Sequence, residues 1–152
     1  HLRRARVAFG GADIFHDLDL TLRAGSFTCL LGPSGVGKST LLRYLAGLEQ
    51  GDVSGNITCS DGTPLTGRVA YMAQQDLLLP WRNVRENVEL GASLRGERPD
   101  HDRSERLIAE VGLTNAAYLL PAKLSGGMKQ RAALARTLME DRPIVQIGRA
   151  HV

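Results

Sequence analysis

Polar and apolar residues alternate along Arg4–Phe9 and again along Leu18–Leu22, the two-residue period of half-buried strands. Gly10–Asp13 and Ala24–Ser26 supply turns between the segments, which predicts an antiparallel β-layer. A continuous apolar run, Phe27–Leu31, then reads as a buried strand. From Lys38 to Leu48 the period becomes helical, with Leu41, Leu42, Leu45 and Leu48 inward and Gly47 or Gly51 near the end. Residues 51–67 are turn-rich, with one short strand at Asn56–Cys59, and Arg68–Ala73 is a second buried strand consistent with a parallel sheet reached by a crossover. Pro80 stops regular structure in an unusually apolar turn, Leu77–Trp81. Beyond it Val84, Asn87, Val88 and Leu90 recur at helical spacing, and Asp102–Gly112 sets Leu107, Ile108 and Val111 on one face. Ser125 is a natural N-cap for a last helix running to about Asp141. The pattern is that of an α/β core carrying a helical insertion at residues 76–124.

Between the apolar run and the first helix lies Gly32-Pro33-Ser34-Gly35-Val36-Gly37-Lys38-Ser39-Thr40. It fits G-x-x-x-x-G-K-[ST] in a strand–loop–helix context. A triphosphate needs many donors at close range, and glycines let successive backbone N–H groups turn inward. The helix start adds unpaired N–H groups and a positive dipole end. Lys38 can reach the β- and γ-phosphates, and the Ser39 hydroxyl can serve Mg²⁺. Phe9, upstream of this loop, either packs in a core or stacks on a base. Gly126 and Gly127 directly follow the Ser125 cap, where each costs a helix roughly 1 kcal/mol against alanine. They mark either a flexible helix start or an anion that must approach its N–H groups.

Length and composition narrow the classes. The 152 residues suit one domain, with 43% hydrophobic and 23% charged residues. Nineteen basic residues against sixteen acidic ones give only +3, and no basic run is interleaved with aromatics, so nucleic-acid binding is not expected. No apolar stretch reaches the ~18–20 residues that cross a bilayer. Cys29 and Cys59 stand apart without metal-ligand spacing and read as reduced structural thiols.

Together the phosphate loop 32–40, a glutamine at the end of strand 68–73, and Leu124-Ser125-Gly126-Gly127-Met128-Lys129-Gln130-Arg131 ahead of a helix resemble the ATP-binding subunit of an ABC transporter, over roughly residues 4–145. The resemblance implies a P-loop NTPase core with an antiparallel β subdomain and a helical insertion, incomplete at the C-terminus. It parcels residues 1–75 and 125–145 into the core and 76–124 into the helical subdomain. It implies ATP and Mg²⁺ as ligands. Gly32, Pro33, Ser34, Gly35, Val36, Gly37, Lys38, Ser39 and Thr40 would cradle the nucleotide, and Phe9 would stack on adenine. Gln74 would touch Mg²⁺ and the attacking water; Gln75 is its rival, but the spacing to Pro80 favours Gln74. Lys38 and Gln74 are thus the catalytic candidates, and Ser39 and Gln74 the metal candidates. Ser125, Gly126 and Gly127 would meet the γ-phosphate bound by a second subunit in a head-to-tail dimer, with Met128 standing where glutamine is commonest. Residues 78–90 would dock an integral membrane permease, placing the protein at the cytoplasmic face of the inner membrane. Leu-Leu-Pro-Trp followed by Arg-Asn-Val resembles importers of nitrate, sulfonates, taurine or pyrimidine precursors. ABC proteins of DNA repair or translation fit less well, having no obvious use for the apolar turn Leu78–Trp81.

The same resemblance expects an aspartate and a glutamate where Arg149 and Ala150 stand, and a proline at His151. Ile147–Val152 is what ATC GGA AGA GCA CAC GTC encodes, a string common in sequencing-adapter DNA. Residues 146–152 are therefore expected to be a non-native tail. Neither His101 nor His151 ends a following strand, so neither takes the place of the family's switch histidine.

Overall fold

The structure, a computed structural model, describes residues 1–148. It divides at Val69/Ala70 into two compact units.

The first unit is a three-stranded antiparallel sheet with a helix. Strands β1 (Leu2–Phe9), β2 (Ala12–Leu20) and β3 (Asp52–Ile57) lie in the order β2-β1-β3. Phe9 pairs with Ala12 across a two-residue hairpin whose Gly10 and Gly11 have φ of 55° and 82°. Both central residues need positive φ in this turn, a conformation that favours glycine. Register shifts interrupt the β1–β2 pairing near Arg4 and Asp17, both at positive φ. There the Asp19 carboxylate accepts the Arg4 N–H at 2.7 Å and an Arg3 N–H at 2.9 Å. These two bonds, the Arg4 amide first, hold the Asp19 carboxyl below the usual carboxylate range. Helix α1 (Lys38–Leu45) lays Leu41 and Leu45 on Leu2 and Ala5 of β1, with Phe15, Leu18, Tyr44 and Ile57 around them. Each buried leucine contributes about 2 kcal/mol by area. Gly47 ends the helix, its N–H bonded to Tyr44 O while Leu48 N–H reaches Arg43 O.

The second unit begins at Ala70. Strands β4 (Val69–Met72) and β5 (Ile144–Ile147) are hydrogen-bonded neighbours. Between them come α2 (Val84–Val88), α3 (Leu90–Leu94), α4 (His101–Glu110), two 3₁₀ turns and α5 (Gly126–Met139). The helix starts follow local chemistry. Asn83 and Glu86 form a reciprocal capping box on α2, and the Asp100 carboxylate accepts the Arg103 N–H at 2.9 Å on α4. Ala132, Ala133 and Ala135 of α5 are fully buried, and such small side chains let the helix approach α2 and α4 closely. Met72, Leu78, Val84, Val88, Ile108, Leu113, Ala116 and Leu124 complete that core. No helix among the described residues is long and apolar enough to cross a membrane.

Four expectations change. Residues 27–31 form no strand: no neighbouring strand offers them a ladder among the described residues, and Phe27 and Leu31 stand 105% and 80% exposed. The turn expected at Gly10–Asp13 ends at Gly11, because the tight hairpin returns the chain to β2 at Ala12, and β2 ends at Leu20. The strand expected at Asn56–Cys59 is β3, four residues earlier, since the turn-rich composition of 51–55 concealed its pairing to β1. Helix 38–48 stops at Leu45, where the Gly47 turn closes it.

Candidate functional site

The loop expected to cradle phosphates lies in the first unit. Its glycines are required locally. Gly37 has φ 96°, and a Cβ there would come within 2.8 Å of Ile14 Cγ2 on β2. Gly37 is also the N-cap of α1 and supplies no side-chain cap, and the first turn carries no acidic residue. Leu41 N–H is the first to bond back, to Gly37 O at 2.8 Å, so the N–H groups of Lys38, Ser39 and Thr40 keep no acceptor within the helix. Lys38 Nζ donates to the carbonyl oxygens of Gly32 and Pro33, both at 2.7 Å. One of its three donors stays unused by these bonds. The result is a run of unbonded donors, a dipole end and an ammonium in one segment, a combination suited to a polyanion. Gly32, Pro33, Ser34, Gly35, Val36 and Ser39 are exposed; Thr40 is half-buried.

Phe9 ends β1 in the same unit. The residue is 43% exposed and outside the core clusters, and its ring lies against Gly51, where a Cβ would sit 2.9 Å from Phe9 Cε1.

The second unit holds the other candidates. Gln74 and Gln75 form an exposed bend after β4. The Gln74 carbonyl accepts a hydrogen bond from Gln130 Nε2 of α5 at 3.1 Å. Ser125 caps α5, its Oγ accepting the Met128 N–H at 3.3 Å. Ser125, Gly126 and Gly127 are exposed, and a Cβ on either glycine would meet nothing within 4 Å. Neither glycine has a positive φ. Internal packing and backbone conformation therefore give no reason for the helix-weakening pair, which leaves the open N-terminal surface itself.

Residues 78–90, expected wholly as a docking surface, serve two purposes. Leu78, Val84, Asn87, Val88 and Glu89 are buried, because α2 is part of the core; Pro80, Trp81 and Glu86 are exposed. Trp81 at 71% exposure has apolar company in Tyr118 and Leu119, whose segment bonds to α2 through Val84 N–H to Leu119 O and Arg85 N–H to Ala117 O.

Two polar hubs escaped the sequence pattern. Asn87, fully buried, accepts the Leu79 N–H at 2.7 Å and donates to the carbonyls of Leu79, Arg82 and Asn83. Its helical spacing marked it as inward but not as polar glue. Glu89 accepts from Ser104 Oγ at 2.5 Å, lies 2.8 Å from His101 Nδ1, and accepts from Arg85 Nε at 3.3 Å. Burial alone would raise the Glu89 pKa; the bonds from Ser104, His101 and Arg85 overcome it and hold it low. Nothing in a single sequence marks partners fifteen residues apart. The positions of Arg149, Ala150 and His151 lie outside the described residues.

Comparison with known proteins places these features. The model of a family described as ABC transporter matches residues 15–147. An aliphatic sulfonates import ATP-binding protein of Rhodococcus jostii is 48% identical over 126 residues, covering 83% of this chain and 49% of that protein. A second protein so named, from Burkholderia cenocepacia, is 48% identical over 141 residues, covering 90% and 50%. The chain thus spans about half the length of the curated relatives it matches. Among solved structures, a dimeric bacterial ABC transporter cassette superimposes with a TM-score of 0.81 at 27% identity, covering 96% of this chain and 72% of the other. The same cassette in a post-hydrolysis state bound to ADP and Pi gives 0.76 at 28%, with the same coverage. The fold is that of an ABC ATPase cassette, and the chain belongs to the ABC transporter family.

Proposed function

We propose that the chain is the ATP-binding portion of an ABC importer subunit, whose full-length form hydrolyses ATP to drive solute uptake. The observation that carries this is the start of α1: an uncapped, acid-free helix N-terminus, closed by Gly37 and flanked by the Lys38 ammonium. In this reading residues 32–40 bind the phosphates through backbone N–H groups, and Lys38 offsets the charge that builds on the transferred group. Phe9 stacks on adenine with its exposed ring. Ser39 offers a hydroxyl and Gln74 an amide oxygen, each a hard donor of the kind that suits Mg²⁺. Bound there, Mg²⁺ would neutralise phosphate charge and favour in-line displacement. Gln74 also orients the attacking water.

The open surface of Ser125, Gly126 and Gly127 supports the second half of the reading. These N–H groups close on the γ-phosphate of a nucleotide held by another ATP-binding subunit, in a head-to-tail pair. The exposed apolar residues around Trp81, with Tyr118 and Leu119, serve the membrane permease, and the subunit works peripherally at the cytoplasmic face of the inner membrane. The relatives' names favour aliphatic sulfonates as the solute class. Residues 1–75 and 125–145 form the core of a single ATP-binding domain with 76–124 as its helical part, and residues 146–152 are a non-native tail.

A second reading follows from Arg149 and Ala150 in the places of the metal-anchoring aspartate and the water-polarising glutamate. The 152-residue chain then binds ATP but does not turn it over. ATPase assays on this chain beside one completed with the family's Asp-Glu-Pro strand and remaining sequence test both. Turnover is expected only in the completed form. Turnover by the short form overturns the reading of Arg149 and Ala150; a completed form without ATP affinity overturns the first proposal.

A further inference from the structure

The turn that follows β4 is held from several sides. Leu77 takes a φ of 48°, a left-handed conformation that a leucine adopts only under constraint. Asp76 Oδ1 accepts the Leu78 N–H at 3.0 Å, and Asn87 grips both backbone groups of Leu79. The remaining holds come from α5. Arg136 donates through Nη2 to the Asp76 carbonyl at 2.6 Å and through Nη1 to the Leu77 carbonyl at 2.7 Å. Six residues earlier on that helix, Gln130 Nε2 reaches the Gln74 carbonyl.

This use of an arginine is unusual for a packing role. A half-buried guanidinium loses hydration, which pushes its pKa down, with Asp76 as the charge that partly restores it. Among the described residues Arg136 forms no salt bridge; its fork is committed to two successive carbonyls. An apolar side chain would fill the space without that cost. The planar two-pronged donor fixes the direction of both peptide groups, which a lysine cannot do.

We propose that Gln130 and Arg136 are positioning residues for Gln74, tying the backbone of residues 74–77 to the helix whose first turn is Ser125–Gly127. The inference rests on the role given to Gln74 above. The glutamine and the signature turn then belong to one rigid body, because α5 is continuous from Gly126 to Met139. Any rotation of α5 that seats its N-terminal turn on a neighbouring subunit's nucleotide carries the Gln74 backbone with it.

The test uses the full-length protein assembled with its membrane partner. Arg136→Lys, Gln130→Ala and Gln74→Ala are made singly, and the first two also in combination with Gln74→Ala. ATP turnover, nucleotide Kd and amide exchange over residues 74–79 are measured. Arg136→Lys is expected to lower kcat about 10-fold with Kd unchanged, to speed exchange at Leu77–Leu79, and to add no loss to Gln74→Ala. Gln130→Ala, at an exposed position, should do the same more weakly and keeps the test alive should Arg136→Lys fold poorly. Unchanged exchange and kcat in both variants, or full additivity with Gln74→Ala, overturns the proposal. Should Gln74→Ala itself leave turnover intact, the role given to Gln74 fails, while exchange still judges the clamp.

Discussion

Lys38 Nζ lies 2.7 Å from the carbonyl oxygen of Gly32, six residues upstream, so the lysine bridges the loop's own ends. The ammonium both shapes the cradle and offers charge to what enters it. Lys38→Ala should therefore remove a charged hydrogen bond worth about 1.5–3 kcal/mol, weakening ATP binding roughly 10- to 100-fold. Titration with a fluorescent ATP analogue checks this, and affinity equal to wild type refutes it.

The two glycine motifs should respond in opposite ways to alanine. At Gly37 a methyl meets Ile14 and the backbone is left-handed, so Gly37→Ala should cost about 2 kcal/mol or more and abolish nucleotide binding together. At Gly126 there is open space and helical backbone, so Gly126→Ala should raise stability by about 0.5–1 kcal/mol. Turnover of the full-length dimer should nonetheless fall. Denaturant melts and ATPase rates on the two variants decide it.

Acid should unlock the second unit through Glu89. Its pKa is lowered from 4.5 on folding, so its contribution is present above that ordinary value and is lost as pH falls below it toward the native one. The titratable and charged groups around it are Arg85 on α2 and His101 and Glu105 on α4, the last also paired with Arg85. Glu89→Gln should lower stability at pH 7 and flatten the acid limb below the ordinary carboxylate range, as followed by circular dichroism.

Strand β5 contains an inverted pattern: Gln146 is buried and its Oε1 finds no partner among the described residues, while Val145 and Ile147 are 41% and 47% exposed. A strand facing a core reads the other way. Gln146→Leu should stabilise this chain by about 1–2 kcal/mol, measured by urea unfolding.

What could be read from residues alone followed the range of the interactions. Caps and turns act over three or four residues, so Ser125, the Gly37–Lys38 start and the Asp102–Gly112 helix were legible. Apolar periodicity likewise marked Val84, Val88 and Ile108 as core. The run Phe27–Leu31 was legible as a sequence that wants a sheet, but a strand exists only with a neighbour to bond, and that information is not local. Arg136 and Gln130 were hidden for a similar reason. Their acceptors are backbone carbonyls some sixty residues away, which no side-chain pattern announces.

The bare ribbon Phe27–Leu31 bears on biosynthesis. Ribosomes add roughly 5–20 residues per second, so a relative about twice as long as the stretch it shares with this chain spends on the order of 10 s with such a segment emerged and later strands unmade. During that interval an uncharged, β-prone segment without a strand partner is offered to any sibling chain on the same message. In a full-length form, slow codons placed after this segment should push newly made molecules toward inclusion bodies, read as the soluble fraction on expression.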